Sequence, residues 1–309
     1  GDGIVDEYHY CEPMGKSAKA NVIVNRYLNN EVFAGGAFAI ANHVAGICDH
    51  VQLVTLLGKE NSREDFISGN LKPNVEARLF FREDGPTIVK KRYVHQYSNQ
   101  KLFEINFIND VYVDESLERE IIDYFESVIP QYDVVLVSDF GHGFITEKIF
   151  QTIEKQAKTL AINTQTNAAN AGYNLITKYH NPNYVCLDER ELRLAAQKKH
   201  SDIEGIAQGI RELLNAHYLV VAMGKQGSLG VNHEGIVNRT PIFSTKVVDT
   251  IGAGDAFFAF TAPCFAQGLS LDLVSFFGNA VGALAVQIVC NKRPVEKDEL
   301  LDFVHALVK

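Results

Sequence analysis

In the stretch "VVDTIGAGDAFFAF", Val247 to Phe260, two aspartates, Asp249 and Asp255, bracket Gly252, Ala253 and Gly254, and an apolar run follows. Residues without bulk let backbone N–H groups converge. A helix starting near Asp255 would add roughly half a positive charge at its N-terminus, so the segment can cradle an anion. A carboxylate at the edge of such a cradle is suited to taking a proton from a hydroxyl that attacks phosphorus. Asp255 is therefore a candidate general base, with Gly252, Ala253 and Gly254 as an anion hole. The plain alternative, a helix-terminal carboxylate behind a tight turn, fits the bare four-residue string equally well.

Such a loop needs a strand before it and a helix after it, and the chain supplies the pattern. Short apolar runs, "VQLVTLLG", "VVLVSDFG", "LAIN", "YVCLD" and "YLVVAMG", each close on a small or polar residue. Between the later ones, Ile145, Ile149, Ile153 and Ala157, and then Ile206, Ile210, Leu213 and Leu214, recur at helical spacing. Strands alternating with helices predict a three-layer α/β fold, a mostly parallel central sheet with helices on both faces. Ligands of such sheets sit beyond the carboxyl ends of the strands, where Asp139, Asn163, Asp188 and Gly224 fall. Two stretches differ. Residues about 15–34 and 76–107 alternate apolar and polar side chains, as in "NVIVNRY" and "TIVKKRYVHQYSNQKLFEINF", and read as antiparallel hairpins forming a small β lid on one domain spanning 1–309.

Bulk properties narrow the partners. A net charge of −9 disfavours a nucleic-acid backbone or an anionic membrane. Five scattered cysteines without a paired-thiol spacing fit a reducing, cytoplasmic setting. The apolar segment "LVSFFGNAVGALAVQIV" carries Ser275, Asn279 and Gln287 and reads as a buried helix. Pro263 should kink or end the helix it lies in. Lys90, Lys91 and Arg92 form the one dense basic run, of which at most two can face one ligand from a strand. The amide-rich "NTQTNAANAGYN" and His142 in "DFGHG" stand near the ligand edge, with a turn and a surface loop as their plain readings.

The longer string "DTIGAGDAF" resembles the C-terminal signature of the ribokinase-like (PfkB-type) carbohydrate kinases. Further landmarks occur in family order: "GDGIVDEY" is similar to the opening sugar-contacting strand, "AGGAFAIANHVAG" to the di-glycine signature, and "VAMGKQGSLGV" to the nucleotide-side strand and turn. Within the family, "GDGIVDEYHY", the hairpin and "LVSDFGHG" are similar to the kinase domain of the heptose-phosphate kinase/adenylyltransferases. The resemblance implies a ribokinase-like fold and an ATP-dependent kinase using Mg2+, with a monovalent cation as a further candidate. It implies Asp255 as base, Asp6, Gly35, Gly36 and Asp139 toward the sugar, and Gly224, Lys225, Gly227 and Asn279 toward the nucleotide. Glu191, Asp188 and Asp249 are then the metal-side residues; Asn279 has a satisfied core amide as its alternative.

Three stretches, with four residues between them, depart from the family pattern. "DERE" sets Asp188 where the metal-organising motif has Asn, with Glu191 kept; an aspartate can still hold metal-bound water. Ala39 replaces the Asn after the di-glycine, and Asn42 lies one turn on. Glu104 and Asn106 stand where the heptose kinases carry an Arg and an Asp, which argues for a different substrate or phosphate grip. The expected activity is phosphorylation of a sugar or sugar phosphate, preferably of the heptose type. A kinase for an unphosphorylated sugar or nucleoside, and a non-catalytic binding module, are the alternatives. Exposed hairpin edges suggest a homodimer through the lid. The chain opens on Gly1 and Asp2 without an apolar run, so an apolar strand is expected before them, and the resemblance adds a fused nucleotidyltransferase domain.

Overall fold

The chain begins with a long antiparallel pair, β1 (Gly3–Lys16) and β2 (Ile23–Gly36), turns into α1 (Ala37–Val44), and continues through β3 (Val51–Glu60), α2 (Glu64–Gly69) and β4 (Val75–Pro86). A second antiparallel pair follows, β5 (Val89–His95) and β6 (Lys101–Phe107). Helices and strands then alternate: α3 (Glu115–Val128), β7 (Val135–Asp139), α4 (Glu147–Gln156), β8 (Leu160–Thr164), β9 (Tyr184–Asp188), α5 (Glu189–Ala196), α6 (Ile203–Leu214) and β10 (Tyr218–Ala222). The chain closes with β11 (Ser228–Asn232), β12 (Val237–Thr240), α7 (Ala253–Ala266), α8 (Leu271–Ala285) and α9 (Lys297–Leu307). This is a computed structural model and it describes residues 1–309.

The main sheet has the order β12-β11-β10-β9-β8-β7, with β7 to β10 parallel and the last two strands antiparallel at one edge. Its strands are apolar on both faces because helices cover both. On β9, Val185 and Leu187 enter the core with Ile149, Ile153 and Ile206 of α4 and α6. Tyr184 and Cys186 enter the opposite core with Phe258 of α7 and Val274 of α8. The period of two thus feeds two cores from one strand. Each fully buried side chain such as Ile149 or Phe258 contributes about 1.5–3 kcal/mol. α7 runs past Pro263 to Ala266, so the proline lies in its last turn and does not end it early. No helix is long and apolar enough to cross a membrane.

The lid is a four-stranded sheet, β2-β1-β5-β6. It differs from the expectation in two ways. Its centre is a parallel pair, β1 with β5, which joins the two hairpins. Residues 76–86, expected within it, belong to β4, which runs parallel to β3 in a separate two-stranded sheet and packs Phe80 into the main core. Alternation alone could not separate these, since lid and core strands share the same period where one face is half-exposed.

Candidate active site

Gly252 caps α7 from a left-handed conformation, φ 85°, and this turn points the first N–H groups of the helix outward. The Ala253 N–H is spent on the Thr250 carbonyl at 3.3 Å, whereas the N–H groups of Gly252, Gly254 and Asp255 donate to no protein acceptor. These three donors, at the positive end of a 14-residue helix, are what an anion would meet. Asp255, 7% exposed, sits in the first turn. Burial pushes its carboxyl up to about 6, against the opposing effect of a hydrogen bond from Gln165 Nε2 to Oδ1.

The lid reaches the same place. Asp6 on β1 lies beside Lys90 on β5, two residues before Arg92 and on the same face, while Lys91 points the other way to Glu7 at 3.3 Å. Arg92 is shared between Asp6 and Glu104, the latter at 2.6 Å. Lys90, 9% exposed, has no carboxylate or hydrogen-bond partner, and burial lowers its ammonium from the usual lysine range. Its charge faces both Asp6 and Asp255. Gly35 opposes Asp6: a Cβ there would lie 1.9 Å from Asp6 Oδ2. Gly36, φ 56°, turns β2 into α1, and a Cβ there would lie 2.6 Å from the Asp2 carbonyl oxygen. Asn291, which follows Cys290 in a left-handed conformation (φ 49°), stands against both Gly35 and Gly252.

Asp249 is enclosed by donors of the protein itself. Lys101 Nζ lies 2.7 Å from Oδ1, the Tyr8 hydroxyl donates to Oδ2 at 2.8 Å, and the Ile251 and Cys290 N–H groups complete the set. Burial works to raise its carboxyl, but Lys101 and Tyr8 outweigh it and hold it below the usual range. A lysine ammonium thus occupies the carboxylate that the sequence reading assigned to a metal.

At the neighbouring strand end, Asp188 and Glu191 form a reciprocal N-terminal cap of α5. Asp188 Oδ1 accepts the Glu191 N–H at 2.7 Å, and Glu191 Oε2 accepts the Asp188 N–H at 2.8 Å. Asp is a strong N-cap residue, which gives its presence here a local reason. Glu191 is 9% exposed, and burial and Asp188 push its carboxyl up to about 8. A buried carboxyl so raised, beside an exposed one, fits a divalent cation bound through one or two carboxylates, water and phosphate oxygens. No cluster of three or more His, Cys, Asp or Glu forms an all-protein cage. Asn163 at the end of β8 adds a buried Oδ1 without a partner.

Gly224, Lys225 and Gly227 form the turn between β10 and β11, the first two exposed and Gly227 buried, with φ 55° at Gly224 and 84° at Gly227. Lys225 has no ion-pair partner, whereas both N–H groups of the Asn279 amide are taken, by Ser228 Oγ at 2.6 Å and the Ser275 carbonyl at 2.8 Å. Asn279 is a core amide beneath the turn. Asp139 is drawn away from the acceptor side: Lys178 Nζ at 2.6 Å, the Tyr179 hydroxyl and the Gly141 N–H hold it beside a separate hollow of about 220 Å³. His142 is buried, against the surface reading, with Nδ1 3.5 Å from Asp110. Asn42 anchors the 70–72 turn through the Asn70 carbonyl and the Lys72 N–H and takes no part in the site.

Of the residues singled out in the sequence, the structure brings Gly35 and Gly252 against one side chain, Asn291, and sets Asp6 close enough for its charge to act on Asp255. The sequence reading missed Gln165, Lys101 and Asn291, none of which stands in a motif. Lys90 was singled out only as a member of a basic run, and the alternation of a strand could have paired it with Arg92.

A family model described as pfkB family carbohydrate kinase matches residues 16–294. The bifunctional protein HldE of Nitratiruptor sp. is 22% identical over 93% of this chain, and that of Nitrobacter hamburgensis 25% over 93%. The chain spans only 60% and 59% of those two relatives. Among solved structures, Escherichia coli phosphofructokinase-2 in complex with potassium superposes with a TM-score of 0.78 at 18% identity, covering 100% of this chain and 97% of that one. Arabidopsis thaliana ribokinase complexed with ribose and ATP gives 0.73 at 17% identity, covering 98% and 96%. The fold is that of the ribokinase-like kinases.

Proposed function

The chain belongs to the pfkB family of carbohydrate kinases and is an ATP-dependent sugar kinase; from that premise we propose that it phosphorylates a sugar phosphate of the heptose type. The observation that carries the chemistry is Asp255, buried, raised toward neutrality and seated beside three unspent N–H groups at the start of α7. The acceptor hydroxyl loses its proton to Asp255 as its oxygen bonds to the γ-phosphorus, and the bond from that phosphorus to the β,γ-bridging oxygen breaks. The N–H groups of Gly252, Gly254 and Asp255 receive the charge developing on the transferred group. Glu191 and Asp188 would hold Mg2+, which neutralises phosphate charge when bound. Gly224, Lys225 and Gly227 border the nucleotide, and Asp6, Gly35 and Gly36 border the sugar.

The phosphorylated acceptor is supported by Lys90, the one member of the basic run without a carboxylate partner, buried between Asp6 and Asp255. Arg92 is already neutralised by Asp6 and Glu104, which accounts for a phosphate grip that uses Lys90. The similarity to the HldE proteins supports the same class, and a fused nucleotidyltransferase domain goes with it. We also place the protein in the cytoplasm, supported by five free cysteines, and as a homodimer through the lid, where Met14, Ile23, Tyr27 and Phe103 are exposed. ADP release from Mg-ATP over a panel of sugars and sugar phosphates tests the reading. A heptose phosphate is expected to give the highest kcat/KM; a free sugar or nucleoside exceeding it would overturn the substrate, and no turnover on any acceptor would overturn the kinase. Light scattering of a monomer at micromolar concentration would overturn the dimer.

A further inference from the structure

Tyr218 on β10 faces Asn232 on β11 in the antiparallel register, and the same register carried one residue past the ends of the two strands sets His217 opposite His233. Side chains directly opposite each other in an antiparallel pair share one face of the sheet. The two imidazoles lie with ring centroids 5.3 Å apart and planes at 36°. Both histidines are exposed, and neither ring makes a hydrogen bond or an ion pair, so their nitrogens are unspent. Glu234 stands on the other side of the sheet. Alternation places it with Asn232 and Tyr218, and burial, followed by the charges of Glu234 and Asp272, raises the Tyr218 hydroxyl.

The separation of the rings has a chemical meaning. An imidazole nitrogen lies about 1.2 Å from its ring centroid and binds zinc at about 2.0–2.1 Å, so a metal held by two histidines sits about 3.2 Å from each centroid. At a tetrahedral angle the centroids are then about 5.2 Å apart, and at the right angle of a square-planar or octahedral centre about 4.5 Å. The observed 5.3 Å is the tetrahedral value. The backbone on both sides is already fixed. The His217 N–H donates to the Asn183 carbonyl at 3.0 Å, and Asn232 Oδ1 accepts the N–H groups of Glu234 and Ile236 at 3.0 and 2.8 Å, which holds the turn that carries His233. Only side-chain torsions, which are soft at the imidazole ring, remain to be set by a ligand.

We propose that His217 and His233 bind one late first-row divalent cation, Zn2+ in tetrahedral coordination, with water in the two remaining positions. No third His, Cys, Asp or Glu joins them, so the site is an open clip between two connections, α6 to β10 and β11 to β12. It is distinct from the position assigned to Mg2+. Asp188 and Gly224 stand at the carboxyl ends of β9 and β10, whereas His217 precedes the first residue of β10, and the five residues of that strand separate the two ends by about 17 Å. Imidazole donors favour Zn2+, Cu2+ or Ni2+ over Mg2+, which takes oxygen ligands in octahedral geometry.

Calorimetric titration with Zn2+, in excess Mg2+ to fill oxygen sites, tests it. A site of Kd about 10 μM or tighter is expected, weakened at least about 10-fold in His217→Ala and in His233→Ala. Both side chains are exposed, so neither variant puts folding at stake. Zn2+ at about tenfold its Kd is expected to raise the melting temperature by about 2 °C in the wild type and to leave both variants unmoved at that concentration. Co2+ should give the intense visible d–d bands of a four-coordinate centre, lost in each variant. Zn2+ affinity unchanged in either variant, or only the weak spectrum of six-coordinate Co2+ in the wild type, would overturn the proposal.

Discussion

A Cβ added to Gly252 would lie 2.1 Å from Oδ1 of Asn291, and the same asparagine stands 3.4 Å, through Nδ2, from where a Cβ on Gly35 would be. The turn that caps α7 and the di-glycine at the end of β2 are thus packed against one side chain. Gly252→Ala meets both this contact and a φ of 85°, a conformation that L side chains rarely adopt. It is expected to lower kcat by about 10²-fold, with a stability loss of only about 1–2 kcal/mol. Steady-state kinetics and denaturant melts separate the two, and a loss of stability without loss of kcat would contradict the role assigned to the turn.

Asp255 must be ionised to accept a proton, and its carboxyl is pushed up to about 6. Activity is therefore expected to rise with pH through about 6 and to level off above it. The Gln165 hydrogen bond favours the ionised form, so Gln165→Leu should shift this acid limb to higher pH while leaving the plateau within about threefold. Asp255→Asn should lower kcat by about 10²-fold or more at every pH. A limb that stays in place in Gln165→Leu would count against Asp255 as the titrating group.

Lys90→Met is expected to lower kcat/KM for a phosphorylated acceptor by about 10²-fold, because the ammonium is buried and has no internal partner to return to. Turnover of an unphosphorylated analogue should change by less than about threefold. Equal losses on both would assign Lys90 to the transferred phosphoryl group instead.

What was legible in the sequence divides by range. The run of strands was legible because apolar residues on both faces at a period of two leave little else for "YVCLD" or "YLVVAMG" to be. The seating of Asp255 in the first turn of α7 was legible because the turn, the cap and the carboxylate are consecutive in the chain. Asn291 was not, since it enters the site through a left-handed Cys290 after a long apolar helix, a placement no local pattern announces. Gln165 was hidden in a run of amides, of which Asn170 and Asn174 tie their loop to the end of β7 through the Phe140 and Asp139 carbonyls. The partner of Asp139 was not legible, because a strand-end carboxylate looks the same in sequence whether it is open or, as here, paired with a lysine such as Lys178.

Lys101 stands on β6, the outer strand of the lid, yet its ammonium lies 2.7 Å from Asp249, just ahead of the turn that caps α7. Tyr8, on the central lid strand β1, donates to the other oxygen of the same carboxylate. Lid position and turn order are thereby coupled through one side chain, and the charge that a monovalent cation would bring is already present. Wild-type activity is expected to change by less than about twofold when K+ replaces a bulky organic cation. Lys101→Met leaves the Asp249 carboxylate buried with only neutral donors, and breaking a buried pair by removing one partner is strongly destabilising, by about 3–5 kcal/mol; the 31% exposure of Lys101 puts the expected loss at about 1–2 kcal/mol. With the turn less ordered, kcat should fall by about 10-fold or more, and added K+ should restore part of it by supplying the missing charge. A wild-type enzyme strongly activated by K+, or a Lys101→Met variant with unaltered kcat, would refute the coupling.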